Sequence, residues 1–319
     1  MARESTSTAA SGGHRVAGID CGTNSIRLLI AEVGSDGRLA DIVRRMEVVR
    51  LGEGVDKTGR LAPAAIERTR LALEGYAAQI SDHDVQAVRM VATSATRDAA
   101  NSGEFTAMVT ATLGTPPEVI SGDEEARLSF GGAVATMPEV EGQRLVIDIG
   151  GGSTEFVRGE GTAVLAARSV DIGCVRMTER HIHSDPPAPT ELATAQADIS
   201  ALVDSALATV DPQRLSVELV GVAGTVTTVA GIALDLDKYD ADAIDGTPVT
   251  YEQVCQVADR LATATHEQRL AIGVMHPGRA DVIIGGSLVL RTIMERTGAS
   301  SVIASEHDIL DGIAASAGK

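Results

Sequence analysis

A seven-residue pattern, Ile-Asp-x-Gly-x-x-Ser, occurs twice in the chain, from Ile19 to Ser25 and from Ile147 to Ser153. Apolar residues lead into each copy, and a second apolar run follows it, Ile26 to Val33 in the first case and Thr154 to Val157 in the second. An apolar strand, a tight glycine-containing turn and another strand make a β-hairpin. Two matching hairpins this far apart predict two related halves. The 319 residues suffice for two domains that each bury a core without disulfide staples.

Between and after the hairpins the sequence alternates between helical and strand periods. Helices are predicted over Leu61 to Ile80, Ser102 to Leu113 and Asp123 to Thr136, with strands at Ala87 to Ala92 and Glu118 to Ser121. In the second half, strands at Ala163 to Val170, Ser216 to Val222 and Ser301 to Ala304 are interleaved with helices at Thr178 to His181, Glu191 to Ala208, Tyr251 to Thr263 and Ala280 to Thr297. Ser305 is the expected cap of a final helix, with Asp308 at the capping-box position. This order is the α/β signature. A core of Ala, Val, Leu and Ile follows from the composition, since only 2% of residues are aromatic. The linker is placed at Thr136 to Gly142, where Pro138 and Gly142 break the helical pattern.

The turns carry the chemistry. Gly22, Thr23, Asn24 and Ser25 point successive backbone amides and two hydroxyls into a small concavity, which is a nest for phosphate oxygens. Gly150, Gly151, Gly152, Ser153 and Thr154 do the same with less steric hindrance, because three glycines let a ligand touch the backbone. Asp20 and Asp148 sit at the ends of buried strands, where an unpartnered carboxylate is costly. A hydrated Mg²⁺ (or Mn²⁺) meets that need, since such ions take one or two carboxylates and complete their shell with water and phosphate. Glu155 opens an apolar strand; it either holds metal-bound water or forms a cross-strand ion pair. Arg27 either faces the same phosphate or forms a salt bridge.

Together with Ala92-Thr93-Ser94-Ala95-Thr96-Arg97, Ile120 to Leu128 (with Glu124-Glu125-Ala126-Arg127), Val222-Ala223-Gly224-Thr225 and Arg279-Ala280-Asp281, these stretches resemble the exopolyphosphatase and guanosine pentaphosphate phosphatase family. That family lies within the actin, hexokinase and Hsp70 superfamily, and the resemblance runs from about residue 15 to 315. It implies two ribonuclease-H-like (actin-like ATPase) domains around a central cleft, in the short two-domain form. Domain I is 14–136, with the C-terminal helix 305–319 packing back on it, and domain II is 137–304. It also implies hydrolysis of a terminal phosphoanhydride bond. Glu125 would activate water, Arg97 would balance developing charge, Asp20, Asp148 and Glu155 would hold the metal, and Gly224 and Thr225 would contact a more distal part of the substrate. Without the resemblance, Glu124 serves equally well as the base, and both glutamates read as solvated helix charges.

Inorganic polyphosphate is the expected substrate, with guanosine pentaphosphate as the alternative and a non-catalytic sensor of such compounds as a third reading. A formal net charge of −17 excludes a surface built for nucleic acid or anionic lipid. Positive charge is nearly all arginine, 24 residues against 3 lysines, which suits bidentate grip on oxyanions. There is no run long enough to span a bilayer and no secretory signal; the three cysteines form no CxxC pair. A cytoplasmic enzyme is expected, with a homodimer as the default assembly.

Overall fold

The computed structural model describes residues 14–211, 213 and 217–317. The expectations for the N-terminal extension, for Ser216 and for the last two residues lie outside the described residues. Strands β1 (His14–Cys21), β2 (Ser25–Val33), β3 (Leu39–Val48), β4 (Ala87–Ala92) and β5 (Glu118–Val119) form one sheet in the order β3-β2-β1-β4-β5. Strands β6 (Gln143–Ile149), β7 (Thr154–Glu160), β8 (Ala163–Val170), β9 (Glu218–Val222), β10 (Pro248–Thr250) and β11 (Ser301–Ala304) form the other, in the order β10-β11-β9-β6-β7-β8. From β8 inward, the second sheet repeats the first, with an antiparallel meander of three strands and then two strands parallel to its first member, and it adds β10 antiparallel at the far edge. The duplicated hairpin predicts two related halves, and these lobes are the ribonuclease-H-like pair that the family resemblance implies.

Strand periodicity decides what the aspartate of each repeat meets, because alternate side chains point to opposite faces. In β1, Ala17, Ile19 and Cys21 enter the large core of the first lobe, with Leu73, Phe105 and Val109 from its helices. Val16 points the other way, to Leu310 and Ala314 of the C-terminal helix Ile309–Ser316. Asp20 has the parity of Val16 and therefore faces that helix. In β6, Leu145, Ile147 and Ile149 enter the core of the second lobe, while Val146 packs on Ala126 and Phe130 of helix Gly122–Val134. Asp148 has the parity of Val146 and faces that helix.

Helix Gly122–Val134 thus lays its apolar side on the second sheet, although its chain position precedes the linker. Its other side meets the C-terminal helix at glycines: a Cβ on Gly132 would lie 1.8 Å from the Asp308 carbonyl oxygen, and one on Gly312 would lie 2.1 Å from that of Leu128. The C-terminal helix in turn packs on β1 through Gly18, where a Cβ would meet Ala314 at 2.8 Å. Two helices packed this closely join the lobes behind the cleft.

Several local expectations change. The cap of the last helix is Asp308, with Asp311 completing the capping box, rather than Ser305 with Asp308. Strand β3 has no counterpart in the sequence reading; its alternation is hidden by charged residues at an edge. Ser94 to Asp98 and Ala223 to Ala233 form helices that the sequence reading did not predict, so Gly224 and Thr225 sit in a helical first turn.

Candidate active site

The hairpin turns close in the same way: Gly22 N–H donates to Ser25 O at 3.0 Å, and Gly150 N–H donates to Ser153 O at 3.1 Å. They meet across the cleft. A Cβ on Gly151 would lie 2.8 Å from Thr23 Cβ, and one on Gly152 would lie 2.6 Å from Ser94 Oγ and 2.8 Å from Thr23 Oγ1. Neither glycine has positive φ, so close approach of the two lobes is what demands them. Thr23 Oγ1 and Ser94 Oγ share a hydrogen bond at 2.9 Å beneath this contact.

Between the turns lies a cavity of about 90 Å³, lined by Asp20, Gly22, Thr23, Asn24, Ser25, Arg27, Glu125, Asp148, Gly150, Gly151, Ser153, Gly224 and Thr225 among the expected residues. Thr93, Ser94, Cys174, Ala223 and Arg279 complete the wall around them. The two aspartates therefore share one cavity. Gly152 does not line it; it is the floor on which the first lobe rests. Thr154 is fully buried and donates its hydroxyl to Ile172 O, so it braces the hairpin and is not placed to bind phosphate. Arg97 and Glu155 stand behind the wall.

The repeats differ at one informative position. Asp20 is directly opposite Arg27 across the first hairpin, whereas Asp148 is directly opposite Glu155 across the second. Arg27 donates to Asp20 Oδ2 at 2.6 and 3.0 Å and also grips Asp308 from the C-terminal helix. Of the two readings of Arg27, the salt bridge is present, and the guanidinium still lines the cavity. Asp308 is the residue the sequence reading missed here, having been taken for a cap; it serves both purposes, because Oδ1 caps Leu310 N and Oδ2 takes Arg27.

Among the described residues, no ion pair to Asp148 or Glu155 matches that of Arg27 with Asp20. Asp148 accepts a 2.6 Å bond from Ser129 Oγ, and Glu155 accepts one of 2.7 Å from Ser169 Oγ, with like charges facing each other, which is destabilising in an antiparallel pair. Burial pushes Asp148 up to about 7, and burial with the neighbouring Glu125 and Asp148 pushes Glu155 well above the usual carboxylate range. Glu155 is 1% exposed.

Glu125 occupies the first turn of helix Gly122–Val134, where Ser121 Oγ caps Glu124 N and the helix dipole favours an acid. The same turn separates the two glutamates. Glu124 points out to Arg89 at 2.7 Å, while Glu125 is 7% exposed and reaches the cavity. Arg97 Nη1 donates to Glu125 Oε2 at 3.1 Å and to Ile120 O at 3.1 Å. Desolvation outweighs the Arg97 charge and raises Glu125 to about 7.

Five carboxylates, Asp20, Glu125, Asp148, Glu155 and Asp308, thus lie in or just behind one cavity wall against the guanidinium groups of Arg27, Arg97 and Arg279. Among the described residues no group of three or more His, Cys, Asp or Glu side chains converges to hold a metal ion. The expected trio of Asp20, Asp148 and Glu155 is not a ready-made ligand set, because Arg27 occupies Asp20 and Glu155 lies a layer back. The surplus of buried negative charge does fit a hydrated divalent ion held by one or two carboxylates and by substrate oxygens.

The profile of the Ppx/GppA phosphatase family matches residues 29–317. The chain is 50% identical over 314 residues to "Exopolyphosphatase 2" of Mycobacterium tuberculosis, covering 95% of this chain and 98% of that protein. It is 32% identical to the "Guanosine-5'-triphosphate,3'-diphosphate pyrophosphatase" of Vibrio cholerae, covering 88% of this chain and 54% of the relative. The crystal structure of an exopolyphosphatase-like protein superposes with a TM-score of 0.91 at 42% identity, covering 96% of this chain and 98% of that one.

Proposed function

The chain belongs to the Ppx/GppA phosphatase family, and on that premise we propose that it is an exopolyphosphatase, hydrolysing the terminal phosphoanhydride bond of inorganic polyphosphate to release orthophosphate. The observation that carries the mechanism is the placement of Glu125: a buried carboxylate, raised to about 7, at the edge of a cavity walled by two phosphate-sized turns. Such a group exchanges a proton readily near neutral pH. Glu125 accepts the proton of the attacking water, and Arg97 holds the carboxylate in one orientation. Amides and hydroxyls of the turns at Thr23 to Ser25 and Gly151 to Ser153 hold the terminal phosphates. Contact between the lobes excludes bulk water from that point. A hydrated Mg²⁺ or Mn²⁺ beside Asp148, with Asp20 near it, would neutralise phosphate charge when bound.

Guanosine pentaphosphate is the second reading, and one feature favours it. A further cavity of about 470 Å³ adjoins the first through Arg27, Ala223, Gly224 and Arg279, and its wall is mixed: Met46, Val274, Met275 and Pro277 with Tyr239, His276 and Glu306, and with Arg44 and Arg45. The apolar and aromatic part of that wall would take a nucleoside, while its arginines would take further phosphates. Phosphate release should be measured side by side from long polyphosphate, tripolyphosphate and guanosine pentaphosphate. Hydrolysis of polyphosphate at the higher kcat/KM supports the first reading; tight binding of all three with no metal-dependent release would sink both and leave a sensor. The same proposal places the enzyme in the cytoplasm as a homodimer, which sedimentation at micromolar concentration tests by mass. Among the described residues no helix is long and apolar enough to cross a membrane.

A further inference from the structure

Arg176 belongs to neither sequence repeat, yet it touches the catalytic turn from behind. Three successive carbonyls of that turn are held by helix Cys174–His181. Gly150 O accepts from Cys174 N at 2.9 Å, and Gly151 O accepts from Val175 N at 2.9 Å and Arg176 N at 3.1 Å. Gly152 O accepts from the Arg176 side chain, Nε, at 2.8 Å. In a trans peptide the N–H points opposite to the C=O. Fixing these carbonyls therefore fixes the amides of Gly151, Gly152 and Ser153 away from the helix; Gly151 and Ser153 line the cavity. Two of the three peptides are oriented by backbone donors that any sequence would supply. The third, Gly152–Ser153, depends on one side chain.

The other end of Arg176 crosses to the first lobe. Nη1 donates to Asp56 Oδ1 at 2.5 Å, and Nη2 donates to Asp98 Oδ2 at 2.6 Å. Asp98 is the last residue of helix Ser94–Asp98 and adjoins Arg97, which holds Glu125. The guanidinium is 13% exposed and has all three nitrogens engaged, a geometry that the single ammonium of lysine cannot reproduce.

We propose that Arg176 is a positioning residue for phosphoryl transfer: it orients the Gly152–Ser153 peptide toward the phosphate and locks that turn to the helix carrying Arg97, so that the anion nest and the base are assembled by one contact between the lobes. The inference rests on the phosphohydrolase reading of the cavity. It acts on alignment in the reacting complex, so its loss appears in kcat more than in KM.

The test uses the full-length enzyme with tripolyphosphate. Arg176→Ala should lower kcat at least tenfold while KM changes less than threefold, and millimolar guanidinium, well below denaturing levels, should restore a measurable part of the rate. Arg176→Lys should remain at least fivefold slow. Asp98→Asn leaves the bonds to Gly152 and Asp56 in place and removes only the charge pairing to the helix that carries Arg97, so its kcat should fall less than that of Arg176→Ala. Hydrogen exchange across residues 149–155 should accelerate in Arg176→Ala, a readout independent of turnover. A kcat within twofold of the parent, a loss confined to KM, or a lysine variant with full activity overturns the proposal. If the parent itself releases no phosphate, the functional reading fails first, and unchanged exchange across 149–155 would then overturn the positioning role on its own terms.

Discussion

Replacing Glu125 with Gln should make the protein slower and more stable at the same time. The side chain keeps its shape and can still accept from Arg97 Nη1, now 3.1 Å from a carboxylate oxygen, but it no longer takes a proton from water. Positioned acid-base groups are worth about 10²–10⁴ in rate, so kcat should fall by roughly a hundredfold or more. Stability moves the other way. The carboxyl titrates at an ordinary 4.5 in the unfolded chain and at about 7 in the folded one, so the native state holds its proton more tightly, and stability contributed by the neutral form is lost as pH rises through 7. Above that pH, keeping the buried group ionised costs roughly 3 kcal/mol, at about 1.4 kcal/mol per pKa unit. Glutamine removes that cost. In chelator at pH 8 the variant should melt higher than the parent, by on the order of 5 °C, and the gap should shrink to a small fraction of that at pH 5, where Glu125 is already protonated in the native state. Calorimetry of both proteins at the two pH values, beside phosphate release at saturating substrate, checks both halves. A parental rate refutes the base assignment; a variant that melts lower at pH 8 refutes the charge-burial argument.

Three further outcomes follow from the same geometry. The parent's kcat/KM should rise with pH along a limb near 7, because the reactive form of Glu125 is the ionised one; a profile flat from pH 5.5 to 8.5 contradicts this. Gly151→Ala places a methyl group 2.8 Å from Thr23 Cβ, so it should hold the lobes apart, lowering kcat at least tenfold while costing about 1–3 kcal/mol in urea unfolding. Hydrolysis should stop in EDTA and return with Mg²⁺, since the carboxylate surplus around Asp148 otherwise repels an anionic substrate; full activity in chelator would remove the metal from the mechanism.

The duplicated hairpin was legible because its signal is local: an apolar strand, a turn and a strand, with the aspartate at the end. Parity along β1 and β6 then puts Asp20 and Asp148 on the faces turned toward the two closely packed helices, which no local pattern announces. Glu125 could be distinguished from Glu124 only by knowing which side of the helix the second sheet covers. Asp308 was hidden because a capping residue and a salt-bridge partner look alike in sequence, and its partner Arg27 is far away in the chain. Thr154 read as a ligand because it continues a phosphate-binding pattern, whereas its hydroxyl is claimed by Ile172 O. Arg176 had no signal at all, since its three acceptors come from separate segments.

The packing of helix Ile309–Ser316 against β1 and helix Gly122–Val134 also bears on biosynthesis. Translation delivers Asp308 after nearly every other site residue, so a nascent chain displays both glycine turns before Arg27 has its second anchor. Until the tail docks, the face of β1 that carries Val16 lacks its covering helix and Arg27 lacks Asp308.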